Sequence, residues 1–158
     1  MAKWKHLLDN IPADFPIDKP VFMLNLLQFY DRAQYPEGSK HTPCSGREAW
    51  VVRYTAEFGR LATEAGGFEL IYLGLPASEI VGEDGEKWDA VVLVKYTNIE
   101  TFRTAIGSDK YVATAAQHRD AALKDWKLIA SVQAAIPNQH RLARTECAFL
   151  IIAMARDA

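Results

Sequence analysis

Two stretches of this chain are apolar on both faces of an extended strand, and they limit the fold more than any other feature. In residues 21–29, Val21, Met23, Leu27 and Phe29 fall on one phase of the alternation and Phe22, Leu24 and Leu26 on the other. Residues 88–96 repeat the pattern, with Trp88, Ala90, Val92, Val94 and Tyr96 against Val91 and Leu93. Successive strand side chains point to opposite faces, so such strands are covered on both sides and lie inside a sheet. Asn25 is the one polar residue in the middle of the first.

The segments between them carry helix and turn signals. Ser45-Gly46-Arg47-Glu48 fits a capping box, with Ser45 as N-cap. Trp50, Tyr54, Phe58, Leu61 and Ala65 follow at helical spacing, and Gly66-Gly67 ends the helix by permitting positive φ. Residues 68–81 read as a strand kinked at Gly74 or Pro76. Thr97-Asn98-Ile99-Glu100 is a second capping box. Its helix pauses at Gly107, and Ser108 caps a continuation to about Leu123. Residues 127–132 alternate as a last strand. Residues 30–45, with Pro36, Gly38, Pro43 and several hydroxyl residues, form a long polar loop.

The order is strand, helix, strand, strand, helix, strand. An α+β, ferredoxin-like βαββαβ fold is expected: a four-stranded antiparallel sheet with helices on one face. In it strands one and three are central, and these are the two doubly apolar segments. The 158 residues suit one domain. It divides into an N-terminal arm (1–19, broken by Pro12 and Pro16), a core (20–134) and a C-terminal extension (135–158). The extension carries the basic patch His140-Arg141-Leu142-Ala143-Arg144, read as a solvated stretch, and then Phe149-Leu150-Ile151-Ile152. It is expected to add a strand, embrace a partner, or pack as a helix.

Composition excludes several classes. Eighteen Lys+Arg against twenty Asp+Glu leave a net charge of −2, no field for nucleic acid or an anionic membrane. The longest apolar run, 148–155, is far short of the roughly 20 residues of a membrane span. The first ten residues lack the apolar run of a signal peptide, so a cytoplasmic location is expected, with Cys44 and Cys147 as reduced thiols. His41 and Cys44 lack a third ligand in register, so no metal site is expected. No phosphate-binding glycine loop or nucleophile elbow is present, and no cofactor is expected.

Helices cover one face of the sheet, and the other is apolar as well. A second copy packed sheet against sheet would cover it, so a homodimer is expected. The segments Met23-Leu24-Asn25-Leu26, Gly66-Gly67, Trp88-Asp89 leading into Val91-Val92, and Ser108-Asp109-Lys110-Tyr111 with His118-Arg119 resemble the domain-of-unknown-function 1330 family. That family belongs to the dimeric α/β-barrel superfamily. The resemblance covers roughly residues 20–132. It implies the same fold but no reaction, since the family has none established. The wider superfamily includes cofactor-free monooxygenases, muconolactone-type isomerases, haem-handling enzymes and ligand-sensing domains, and fold does not choose among them.

A site is expected in a cleft between sheet and helices, with His118 and Asp89 as catalytic candidates and Asn25, Tyr54, Tyr111 and Arg119 as binding candidates. Tyr111, Ala115, His118 and Ala122 share one helix face. His118, titrating near 6.5, is either a proton shuttle or a hydrogen-bonded histidine at the helix–sheet boundary. Asp89, Tyr54 or Asn25 is expected within its reach. Asp89 is either a base or a capping carboxylate, and Arg119 reaches a carboxylate: Asp89 or an acidic substrate. Asn25 either bridges structure or orients a ligand carbonyl; as a buried amide it must be hydrogen-bonded. The tyrosines suit both core edges and clefts. Loop 30–45 is expected at the cleft mouth. Three functions compete: a small-molecule oxygenase, isomerase or lyase; a ligand-binding or sensing domain; and a dimerisation module.

Overall fold

The computed structural model describes residues 7–83 and 85–135. Its elements run β1 (Val21–Phe29), α1 (Gly46–Glu48), a π-helical stretch (Ala49–Tyr54), α2 (Thr55–Glu64), β2 (Phe68–Gly74), β3 (Ala90–Tyr96), α3 (Ile99–Ile106), α4 (Asp109–Thr114), α5 (Ala116–Ala122) and β4 (Leu123–Val132). Before them, a 3-10 turn at Leu8–Asn10 packs Leu7 and Leu8 onto the core. The C-terminal extension beyond residue 135 lies outside the described residues.

The four strands form one antiparallel sheet in the order β2-β3-β1-β4, so β1 and β3 are the inner strands. The helix starts follow local chemistry. The side chains of Ser45, Asn98 and Ser108 each accept from the backbone N–H three residues on, relieving one of the donors that a helix leaves unpaired. Gly66 and Gly67 have φ of 128° and 84°, where a side chain would be strained.

Four elements depart from their expected spans, the first being β3, which begins at Ala90 rather than Trp88. β2 stops at Gly74 rather than running to 81, because Pro76 cannot donate to a ladder. β4 begins at Leu123, four residues early. The expected helix through residues 108–123 is broken at Ala115 into α4 and α5. There the His118 N–H donates to the Ala115 carbonyl three residues back at 3.0 Å. The same carbonyl also accepts the Arg119 N–H four residues on at 3.2 Å, so the bond at this break is bifurcated.

The strand register separates the two faces of the sheet. On β1, Val21, Met23 and Leu27 are buried against the helices, in clusters with Tyr54, Ile99, Phe102 and Tyr111 near one end and Ala49, Ala122 and Trp126 near the other. Leu24 and Leu26 point the opposite way. Leu24 is paired with Leu93 and Ile129, and Leu26 with Val91. Tyr72 joins this face through its pairing with Leu93, after a register shift around Ile71. These residues are half-buried or exposed. They are flanked by the Lys95–Glu69 ion pair and by Lys127.

Loop 30–45 has no helix or strand, but it is stitched down. Tyr30 N–H donates to Ala122, and Gly46 N–H returns to Tyr30. Ala33 bonds Cys44 across the loop, and Gln34 N–H reaches Ala121. Gly46 is required at this crossing, because a Cβ would run into the carbonyl oxygens of Tyr30 and Ala122.

Candidate functional site

A cavity of about 500 Å³ lies between the sheet and the helices. Its floor is the cavity-facing phase of the inner strands, including Met23, Asn25, Leu27, Val92 and Val94. Its roof is formed by the π-helical stretch and α2, through Trp50, Val51, Tyr54 and Phe58. A π turn widens the helix and re-aims its side chains, which is why such turns recur at functional sites. One end is closed by Tyr96, Phe102, Ile106 and Tyr111. On the β2 side the lining residues Leu70, Leu73 and Leu75 are 55%, 61% and 62% exposed, so the cavity opens there. Ala90 and Tyr96 both line it, and at about 3.3 Å per strand residue it extends for about 20 Å.

Three expected site residues line this cavity: Asn25, Tyr54 and Tyr111. Asn25 is already engaged by the sheet. Its Nδ2 donates to the carbonyls of Met23 (3.2 Å) and Val92 (3.4 Å), and its Oδ1 accepts from Trp126 Nε1 at 3.1 Å. The bridge that a mid-strand amide requires is therefore to the sheet itself. It also fixes the Trp126 indole on the cavity wall.

Tyr111 and Arg119 form the strongest polar contact behind the wall. Arg119, only 3% exposed, donates from Nη1 to the Tyr111 hydroxyl at 2.7 Å. It is paired with Asp120 through Nε (2.9 Å) and Nη2 (2.7 Å), and its guanidinium lies 5.6 Å from the Tyr111 ring centre and 5.8 Å from that of Trp126. Its carboxylate partner beside it is Asp120 rather than Asp89. Burial opposes its charge, but Tyr111 and Asp120 more than offset this and its pKa is raised. Burial drives the Tyr54 hydroxyl well above its ordinary range, and the neighbouring Tyr111 adds to the effect. Burial raises Tyr111 too, with the Arg119 cation opposing, and raises Tyr96. The cavity tyrosines are therefore neutral hydroxyls at physiological pH.

His118, Asp89 and Arg119 are not among the cavity-lining residues. Asp89 is exposed, and its Oδ2 accepts the Phe29 N–H at 2.7 Å. It thereby extends the β1–β3 pairing by one bond. His118 does not meet Asp89, Tyr54 or Asn25. Its Nδ1 bonds the Tyr35 hydroxyl at 2.8 Å, and its ring meets the His41 ring edge-on at 4.7 Å. Arg119, and not His118, is the α5 side chain that reaches Tyr111.

Loop 30–45, expected at the cavity mouth, contributes no lining residue. It covers α5 instead. His41 Nε2 meets Gln117 Oε1 at 3.0 Å, and Arg53 donates to Thr42 and lies 5.4 Å over the Tyr35 ring. Tyr35 escaped the sequence reading and His41 was weighed only as a metal ligand beside Cys44, because no pattern links them to a histidine about eighty residues away. Groups of three or more His, Cys, Asp or Glu able to hold a metal are absent among the described residues.

No family model matches the chain, and no curated protein matches it. Solved structures do. The chain is similar to the RPA0582 protein of Rhodopseudomonas palustris, described as a protein of unknown function, at 26% identity and a TM-score of 0.70. That match covers 84% of this chain and 95% of the other. A methylated RPA0582 protein matches at 27% identity and a TM-score of 0.71, over 85% of this chain and 94% of the other. The α+β fold with its four-stranded antiparallel sheet is thus shared with proteins of unknown function.

The buried His118 predicts a pH dependence of stability. Burial, then the neighbouring His41 and Arg53, lower its pKa in the folded state, while Glu57 pulls the other way. Above about 6.5 the ring is neutral in both folded and unfolded chains. Below that value the unfolded chain binds the proton first, so stability falls as pH falls. Urea unfolding should show a lower midpoint at pH 5.5 than at 7.5, and His118→Asn should flatten that difference. An unchanged pH slope in the variant would contradict the assignment.

Proposed function

We propose that this chain is a small-molecule-binding protein of the ferredoxin-like, dimeric α/β-barrel type, akin to the domain-of-unknown-function 1330 family. The order β2-β3-β1-β4, with strands one and three inside, supports that architecture. The function rests on one observation, the cavity of about 500 Å³ between sheet and helices. Ligand pockets fall in the range of roughly 300–1,000 Å³, with mainly apolar walls and a few placed polar groups. This cavity has that make-up: aliphatic and aromatic walls, the Asn25 amide, and the hydroxyls of Tyr54, Tyr96 and Tyr111.

Binding without chemistry is favoured over acid–base catalysis by the placement of the titratable groups. The histidine and carboxylate proposed for proton transfer, His118 and Asp89, are engaged elsewhere, and a general base must lie within hydrogen-bond reach of its substrate. An enzymatic alternative of the oxygenase, isomerase or lyase type draws on one feature, the Tyr111 hydroxyl backed by the Arg119 cation at 2.7 Å. That pair could polarise a bound carbonyl without itself changing protonation. A cytoplasmic location and the absence of a resident cofactor or metal complete the reading. Among the described residues no helix is long and apolar enough to cross a membrane.

A neutral naphthalene dye whose emission shifts to the blue in apolar surroundings tests the cavity. Wild-type protein should shift it saturably at micromolar concentrations. Val92→Trp, which fills the floor, should weaken binding at least tenfold while far-ultraviolet circular dichroism is unchanged. No shift with wild type, or equal binding by a folded variant, would count against the proposal.

The homodimer belongs to the same proposal. Leu24, Leu26, Val91 and Leu93 make a contiguous apolar centre on the open sheet face, rimmed by charged side chains. This is the layout of a protein interface, an apolar core within a polar rim. Sedimentation velocity at tens of micromolar should give a dimer for wild type and a monomer for Leu93→Glu. A monomeric wild type, or a folded variant that still dimerises, would overturn it.

A further inference from the structure

The one charged residue among those lining the cavity is a cation. Arg47 borders the space from the helical layer, and no aspartate or glutamate lines it. Among the described residues the Arg47 side chain makes no hydrogen bond or ion pair. It differs in this from Arg53, which donates to Thr42, and from Arg119, which pairs with Asp120. Arg47 is exposed, as are Val51 and Thr55. These three stand four residues apart and all line the cavity, so they form one row. Leu70, Leu73 and Leu75 are exposed lining residues on the β2 side. The cavity therefore meets solvent between these two rows, with Arg47 on its rim.

The two ends of the cavity differ in what they offer a charge. Arg47 follows Gly46, whose N–H donates to the Tyr30 carbonyl just past the end of β1. Phe29 and Ala90 line that end. At the far end of β3 stand Tyr96, Phe102, Ile106 and Tyr111, all buried. A carboxylate taken to the buried end would lose its water with no free cation to replace it, because Arg119 does not line the cavity and is already held by Asp120. Burying an unpaired charge is far more costly than burying an apolar group. At Arg47 the same carboxylate keeps part of its water. It also gains charge-assisted hydrogen bonds from a planar guanidinium, whose fork matches carboxylate geometry.

Building on the proposed cavity-binding role, we propose that the ligand is a monocarboxylic acid with an elongated apolar body, seated body first with its carboxylate at the mouth on Arg47. Arg47 sets the class of head group, and the walls favour the apolar body by removing it from water. An ammonium head would meet the Arg47 cation with no lining carboxylate to offset it. A neutral head would leave Arg47 hydrated and gain from the walls alone.

Decanoate, methyl decanoate and decylamine share one chain length and differ in the head group. Each is titrated against the full chain by tryptophan fluorescence, since Trp50 and Trp126 line the cavity. At neutral pH and low salt, decanoate should bind about 5-fold more tightly than its ester, the value of a solvent-open ion pair. Decylamine should bind most weakly. Added salt should narrow the gap between acid and ester by screening the exposed pair. Arg47→Gln should erase that gap while leaving the ester affinity and the thermal midpoint unchanged, because the side chain has no partner among the described residues. Equal binding of acid and ester by wild type, or a gap that survives Arg47→Gln, would overturn the carboxylate assignment and leave the cavity reading standing. Tightest binding by decylamine would overturn it in favour of an anionic anchor. Failure of all three probes to bind would overturn the cavity reading and this proposal together.

Discussion

The alternation of side chains along β1 governs the rest of the molecule. Val21, Met23, Asn25 and Leu27 face the helices, and Leu24 and Leu26 face away. A shift of one residue would exchange the two sets. Pairing with β3 and β4 fixes the register on both sides, and the Asn25 amide reinforces it by bonding Val92 on one neighbour and Trp126 on the other. From this register follow a cavity floored by one phase and an open apolar face made by the other.

The helical layer follows the same economy. The π-helical stretch brings Trp50, Val51 and Tyr54 onto the cavity roof. The tight turn at Ala115 then divides the last helix into two functions. α4 supplies Tyr111 to the cavity. α5 supplies Arg119 to support that tyrosine from behind and His118 to anchor loop 30–45. The polar groups sort accordingly. Those near the cavity remain neutral because burial raises the tyrosines. The charged pair Arg119–Asp120 lies behind the wall, where it orients a hydroxyl without presenting a charge to the ligand.

Much of this was legible in the sequence, and the limits are instructive. Strand β1, the inner positions of β1 and β3, the caps at Ser45 and Ser108 and the glycine stop at residues 66–67 all come from local rules: period-two alternation, capping chemistry and positive φ. Asn25, Tyr54 and Tyr111 were placed correctly on the cleft because they sit on periodic apolar faces. His118 shares a face with Tyr111 only along an unbroken helix, and the break at Ala115 separates α4 from α5. Asp89 accepts a backbone N–H beside the β1–β3 pair, and a carboxylate so placed looks the same in sequence as one entering a site. Tyr35 and His41 depend on how a loop folds over α5, which no local pattern encodes.

The central claim is that the space between sheet and helices is a binding site for an apolar small molecule. A crystal structure of the protein grown with a neutral naphthalene compound tests it most directly. The account predicts density for the ring system within the cavity, between Val92 and Phe58. An empty cavity at saturating ligand, or a ligand seated outside it, would contradict it.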